Sequence, residues 1–92
     1  MEKKALAELL SDESIKHLAI PSNIRLGTQL FSSGAVEVIE RGPVRVAATV
    51  EGPVRRKVML EATDFGLQWS CTCRKELARL CKHCIAVGLA VR

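Results

Sequence analysis

Two hydrophobic periods divide this chain. From Ala5 to Phe31 apolar residues recur every three or four positions, and from Val36 to Trp69 they recur every second one, the patterns of helix and of strand respectively. Ala5, Leu6, Leu9 and Leu10 share a helical face, and Ser11 is placed to cap a following turn that carries Ile15 and Leu18. Pro21 reads as the end of that piece. Ser22 or Asn23 then caps a further helix from about Ile24 to Ser32, with Leu26, Leu30 and Phe31 as its stripe and Gly34 as its stop. Gly27 lies inside this helix, where glycine costs about 1 kcal/mol relative to alanine. The helix therefore needs packing to persist.

In the middle third, Val36 and Val38 point one way and Glu37 and Ile39 the other, until Arg41-Gly42-Pro43 interrupts. Val44, Val46, Ala48 and Val50 form a second alternation, ended by Glu51-Gly52-Pro53. Val58, Leu60 and Ala62 form a third, with Lys57, Met59 and Glu61 opposite. After the turn Thr63-Asp64-Phe65-Gly66, the residues Leu67, Trp69, Cys71 and Cys73 share one face of a fourth strand. Short strands joined by such turns predict an antiparallel meander. Ile85 to Val91 then supplies an apolar segment of good helical composition.

The chemistry gathers where the last strand meets the last helix. Cys71, Cys73, Cys81 and His83 read as Cys-x-Cys, seven residues, Cys-x-His, and sulfur with imidazole nitrogen is the donor set of a tetrahedral structural zinc. Residues two apart on a strand point the same way, so Cys71 and Cys73 present two thiolates side by side. Residues two apart on a helix diverge by roughly 200°. Cys81 is therefore expected before or at the helix cap and His83 in the first turn. Cys81-Lys82-His83-Cys84 also contains Cys-x-x-Cys, so Cys84 competes with His83 as the fourth ligand.

Composition narrows the class. Ninety-two residues make one small domain, and domains of that size often lean on a metal or on disulfides. Glu2, Lys3, Lys4 and Glu8 break up any apolar export signal, and no apolar run is long enough to span a bilayer. A cytoplasmic, reducing compartment is the expectation, where clustered cysteines bind metal more readily than they pair. Fourteen Lys and Arg against ten Asp and Glu give a net charge of +4. Residues 1–70 balance at nine of each sign, so the whole excess lies in residues 71–92, on Arg74, Lys75, Arg79, Lys82 and Arg92 against Glu76 alone. Three thiolates and a neutral imidazole around Zn²⁺ sum to −1, which leaves that segment at about +3 when loaded. Such a surface suits phosphates or acidic side chains.

Cys71-Thr72-Cys73 followed by Cys81-Lys82-His83, running into Cys84-Ile85-Ala86-Val87-Gly88-Leu89-Ala90, resembles the SWIM-type zinc finger, in the manner of its small prokaryotic or archaeal members. The helix ending near Phe31 and the entry Ser33-Gly34-Ala35-Val36 into strands are also similar. Residues from about Asn23 onward take part in the resemblance, and the first twenty or so do not. Two departures are Cys84, where the family usually has an aliphatic residue, and a spacer without its frequent proline and glycine. The resemblance implies one zinc ion on Cys71, Cys73, Cys81 and His83. It also implies DNA binding or protein binding as an accessory in DNA transactions such as recombination or remodelling.

The expected fold is α+β: N-terminal helices over residues 1–22, then a zinc-binding unit over residues 23–92 with a meander of about four strands, a zinc-bound strand end and a C-terminal helix. The expected function is a non-catalytic DNA-binding module. Arg74, Lys75, Arg79 and Lys82, with Arg55, Arg56 and Lys57 as a second group, are its phosphate contacts. The competing function is an adaptor that docks on a recombinase or helicase-like ATPase, through the metal-stiffened hairpin or the stripe of Leu6, Leu9 and Leu10. Neither membrane nor small-molecule substrate is expected. Four protein ligands leave no open metal position, and no glutamate beside them serves as a base, so no enzyme activity is expected either. Trp69 is read as a core residue beside the metal, and His17 as a helix surface residue.

Overall fold

The computed structural model describes residues 5–73 and 79–92. Three helices come first: α1 (Leu6–Leu9), α2 (Asp12–Leu18) and α3 (Pro21–Ser32). Four strands follow, β1 (Val36–Arg41), β2 (Arg45–Val50), β3 (Arg56–Thr63) and β4 (Gly66–Cys71), and α4 (Lys82–Val91) closes the order. All strand pairs are antiparallel and the sheet order is β1-β2-β3-β4, a plain meander. The fold is α+β. No described helix is long and apolar enough to cross a membrane.

Local chemistry accounts for the helix ends. Ser11 caps α2 by accepting a hydrogen bond from the Ser14 amide at 3.2 Å, a cap worth about 1 kcal/mol. Pro21 does not close a helix; it occupies the first position of α3, with Ile20 as the N-cap. Proline has no amide proton to leave unpaired there, and its fixed φ already suits a helix start. Gly34 ends α3 in the left-handed region, at φ +76°, a conformation cheap only for glycine.

One face of the sheet is covered. Val46, Ala48 and Val50 on β2, Val58, Leu60 and Ala62 on β3 and Leu67 on β4 are buried in one cluster with Leu6, Leu10, Ile15, Ile85 and Val87. α4 touches all four strands, α1 touches β3 and β4, and α3 lies on α4. The leucine stripe of α1 is thus spent inside: Leu6 and Leu10 are buried and Leu9 packs against the core. A docking surface made of that stripe does not exist in the folded chain. Each buried aliphatic side chain contributes about 1.5–3 kcal/mol relative to an exposed one.

The other face of the sheet is open. β1 carries a bulge between Val38 and Glu40, which leaves Ile39 unpaired and 62% exposed. Ile39, Ala47, Thr49, Lys57, Met59 and Ser70 line a hollow of about 460 Å³ there.

Gly27 explains how α3 and α4 meet. A β-carbon at position 27 would lie 2.7 Å from Cβ and Cγ2 of Ile85 and 2.8 Å from the Lys82 carbonyl oxygen. The backbones approach so closely that only glycine fits. The helix propensity lost at Gly27 is offset by this contact, which seats the first turn of α4. Asn23 Nδ2 donates to the Leu80 carbonyl at 3.5 Å, and the Leu80 amide donates to the Leu18 carbonyl at 2.8 Å, holding the same entry. At the other end Arg41 donates to the Val91 carbonyl at 3.1 Å, and Arg92 reaches the Leu10 carbonyl and Asp12. Gly27→Ala is expected to destabilise the protein by about 1–3 kcal/mol through overpacking, although alanine favours helix. Denaturant unfolding measures it, and a stabilised variant would contradict the close approach.

Candidate metal centre

The ligand set begins where β4 runs out. Val58 pairs with Cys71 as the last rung of the ladder between β3 and β4. One residue on, the Thr72 amide still donates to the Lys57 carbonyl at 3.1 Å, while the Lys57 amide donates to the Thr72 side-chain oxygen at 3.0 Å. The hydroxyl takes the place of a main-chain acceptor, and the ladder stops. Cys73 therefore stands in a turn, not on the strand as expected from its alternation with Cys71. A turn residue is freer than a strand residue to swing its sulfur toward its neighbour's.

The other two ligands come from the start of α4. Cys81 is the N-cap, in extended conformation (φ −79°, ψ 169°), and His83 is in the first turn. Cys81 thus carries its sulfur at the N-terminus of α4, where the helix dipole favours negative charge.

The four ligand atoms of Cys71, Cys73, Cys81 and His83 all lie within 4.8 Å of one another. Cys71 Sγ is 3.6 Å from His83 Nδ1, and Cys81 Sγ is 3.8 Å from the same nitrogen. Bond lengths of about 2.3 Å to sulfur and about 2.05 Å to nitrogen place neighbouring tetrahedral ligands roughly 3.6–3.8 Å apart. The residues fit a zinc ion. Bound there, it would cross-link the end of β4 to the start of α4 without an open position for substrate.

Cys84 is outside the four-ligand group. It is 1% exposed, under α4, with its sulfur 3.6 Å from that of Cys81. His83 brings its nitrogen into the four-ligand group, while the Cys84 sulfur lies against those of Cys81 and Cys71 from the buried side of the helix.

The thiols are unequal in the metal-free chain. Cys71 is pushed up to about 12 by its side-chain hydrogen bond to Cys81, with burial adding to it. Cys81 moves the opposite way, well below an ordinary thiol, because it accepts hydrogen bonds from Cys71 and Cys84. Cys84, bonded to the same two sulfurs and buried, is pushed up. Within this hydrogen-bonded set of Cys71, Cys81 and Cys84, negative charge thus gathers on Cys81.

The expected phosphate contacts divide. Arg79 and Lys57 are exposed, Arg56 and Lys82 are half-buried, and Arg55 is paired with Glu51. Lys82 stands in the first turn of α4 and lines a shallow hollow with Leu26, Gln29, Leu30 and Ser33 of the α3 segment. Arg74 and Lys75 lie outside the described residues. Trp69 pairs with Leu60 and packs against the core, and its indole nitrogen is buried without a hydrogen-bond partner among the described residues. His17 is on the exposed side of α2.

Two residues that shape the site escape a reading by motif. Thr72 is the x of Cys-x-Cys, and its ladder-ending hydroxyl has no signature beyond threonine's habit of bonding nearby backbone. Gly27 is far from the ligands in sequence, and the one signal it gives is a glycine inside a helix.

No family model, curated protein or solved structure matches the chain.

Zinc binding should release protons and tighten as pH rises through neutrality. Cys71 keeps its proton until far above neutral pH and must lose it to coordinate, so alkaline conditions favour loading. Calorimetric titration in buffers of different ionisation enthalpy reads the proton count, and an affinity independent of pH would contradict thiolate ligation. Chelation, or Cys73→Ser, should also raise hydrogen exchange across the start of α4 more than across β2 and β3.

Proposed function

We propose that this chain is a zinc-built, non-catalytic module that holds a basic surface against nucleic-acid phosphates, in the manner of the SWIM-type finger that its ligand pattern resembles. The observation that carries the zinc half is the mutual approach of four Cys and His ligand atoms within 4.8 Å. For the nucleic-acid half, support comes from charge: the whole surplus of +4 lies in residues 71–92, the stretch of sequence that carries the four ligands. Arg79 stands two residues before the Cys81 cap, Lys82 follows it, and Lys57 stands opposite Thr72 beside the strand-borne ligand.

Burial argues for contacts to the backbone of the nucleic acid over contacts to base edges. A helix that reads the major groove needs a polar outer face, but α4 buries Cys84, Ile85, Ala86, Val87, Gly88 and Val91. Phosphate contacts by flexible cations position a protein on its substrate and carry little sequence information. Such a module fits an accessory role in DNA transactions such as recombination or remodelling, with the chemistry supplied by a partner.

A second reading, an adaptor for a recombinase or helicase-like ATPase, is favoured by the open sheet face. Its hollow is lined largely by apolar side chains, with Ile39 62% exposed on its rim. Ile39→Ser distinguishes the two, since it makes that face polar without adding charge beside Lys57, which lines the same hollow.

Fluorescence anisotropy with labelled single-stranded and duplex DNA tests the first reading. The zinc-loaded protein should bind with an affinity that falls as salt rises, by roughly 0.7–0.9 log units per log unit of salt for each phosphate neutralised. Lys57→Glu with Lys82→Glu should weaken all sequences alike. Absence of binding at low salt would remove the nucleic-acid reading and leave the metal site standing.

A further inference from the structure

Cys84 is the cysteine that the metal set does not use. It is also the third residue of α4, with Cys81 at the N-cap. In a helix start those two side chains converge, the same relation by which a capping box joins an N-cap to the residue three further on. Here both positions carry sulfur, at a separation of 3.6 Å. The Cys84 sulfur also touches that of Cys71, but Cys71 belongs to β4, whereas Cys81 and Cys84 share one helical turn; His83 brings nitrogen.

We propose that Cys81 and Cys84 form a reversible disulfide when the zinc-loaded protein meets a hydroperoxide, and that this removes Cys81 from the ligand set and releases the metal. The inference rests on the zinc reading above. In the first step the Cys81 sulfur attacks a peroxide oxygen: the S–O bond forms, the O–O bond breaks, and the departing hydroxide takes up a proton to give water. Cys81 is then a sulfenic acid. In the second step the Cys84 sulfur attacks the Cys81 sulfur: the S–S bond forms, the S–O bond breaks, and the hydroxyl leaves as water with the proton of the Cys84 thiol. Two electrons pass from the two sulfurs to the peroxide, and one disulfide and two waters result.

The geometry suits both steps. Cys81 is itself 6% exposed, but it borders Cys71, Cys73 and His83, which are only partly buried, so a molecule as small as hydrogen peroxide reaches it from the solvent-facing side of the cluster. Cys84 is 1% exposed, which shields it from direct oxidation and keeps it as the thiol that resolves. The sulfurs must close from 3.6 Å to the disulfide length of about 2.05 Å, a movement within reach of side-chain rotation in a first helical turn. A disulfide sulfur is a far poorer zinc ligand than a thiolate, since metal ligation requires the deprotonated thiol.

The test uses the whole chain, with bound zinc measured by atomic emission before treatment. Hydrogen peroxide is added, zinc release is followed with a metallochromic indicator, and disulfides are mapped by mass spectrometry after blocking free thiols. Support would be loss of zinc with a Cys81–Cys84 linkage, both reversed by dithiothreitol and added zinc. Cys84→Ala, with Cys84→Val as a space-filling second variant, should still carry zinc. After the same treatment they should recover little of it, because a sulfenic acid without a resolving thiol proceeds to sulfinic acid, which that reductant does not reverse. A linkage mapped to another pair, or variants that lose and regain zinc as the parent does, would overturn the proposal. An untreated parent without zinc would overturn the metal reading beneath it, a result distinct from either.

Discussion

A ten-residue helix that is apolar on nearly every side survives in water only if it is walled in, and α4 is walled in from all directions. The sheet lies under it and α3 over it. At its C-terminal end Arg41 takes up a carbonyl, and its N-terminal end carries Cys81 and His83 of the sulfur and imidazole cluster. Burial of Ile85, Val87 and Val91 supplies the driving force, but burial is non-directional and does not set where along the sheet the helix stops. The position is set at two points, the glycine contact with α3 and the ligand cluster. The first permits the approach, and the second, with a metal bound, would fix the register between β4 and α4.

The cluster itself is a compromise between two kinds of local structure. A strand presents alternate side chains together, whereas a helix turn spreads residues two apart to different sides. The chain resolves this by placing Cys73 just past the strand and Cys81 just before the helix, each in the more permissive conformation of an element end. Cys71 and His83 then sit on regular structure and define the frame. Half the donors are rigid and half are adjustable, a division that lets four side chains meet at a common point without distorting the core they border.

How much of this was legible in the chain depends on how local the signal is. The alternations over Val46, Ala48 and Val50, and over Val58, Leu60 and Ala62, translate directly into buried rows, because each strand's period is a property of its own backbone. The ligand pattern was equally readable, since Cys-x-Cys and Cys-x-His name their own neighbours. Pro21 misled because proline ends one helix and opens another with the same chemistry, and only the position of the following apolar residues separates the two. The bulge at Ile39 gave no signal, because a bulge adds a residue without changing the alternation that announces a strand. The use of Leu6 and Leu10 as core residues was not legible at all. An amphipathic stripe states that one face will be covered and is silent about what covers it.

The contact between Gly27 and the start of α4 bears on the order of assembly. Gly27 and Ile85 are 58 positions apart in the chain, whereas β2, β3 and β4 are joined by short turns between neighbours. Closing a long loop costs more entropy than closing a short one, and pairings distant in sequence are slow to form. The meander is therefore the early structure, and the docking of α4 against α3 comes afterwards. The metal-binding end of the protein is finished last, on a sheet that already exists. A chain caught before that moment would expose an ungripped apolar helix and all four thiols at once, so the interval between sheet formation and helix docking is when it is most open to aggregation and to oxidation.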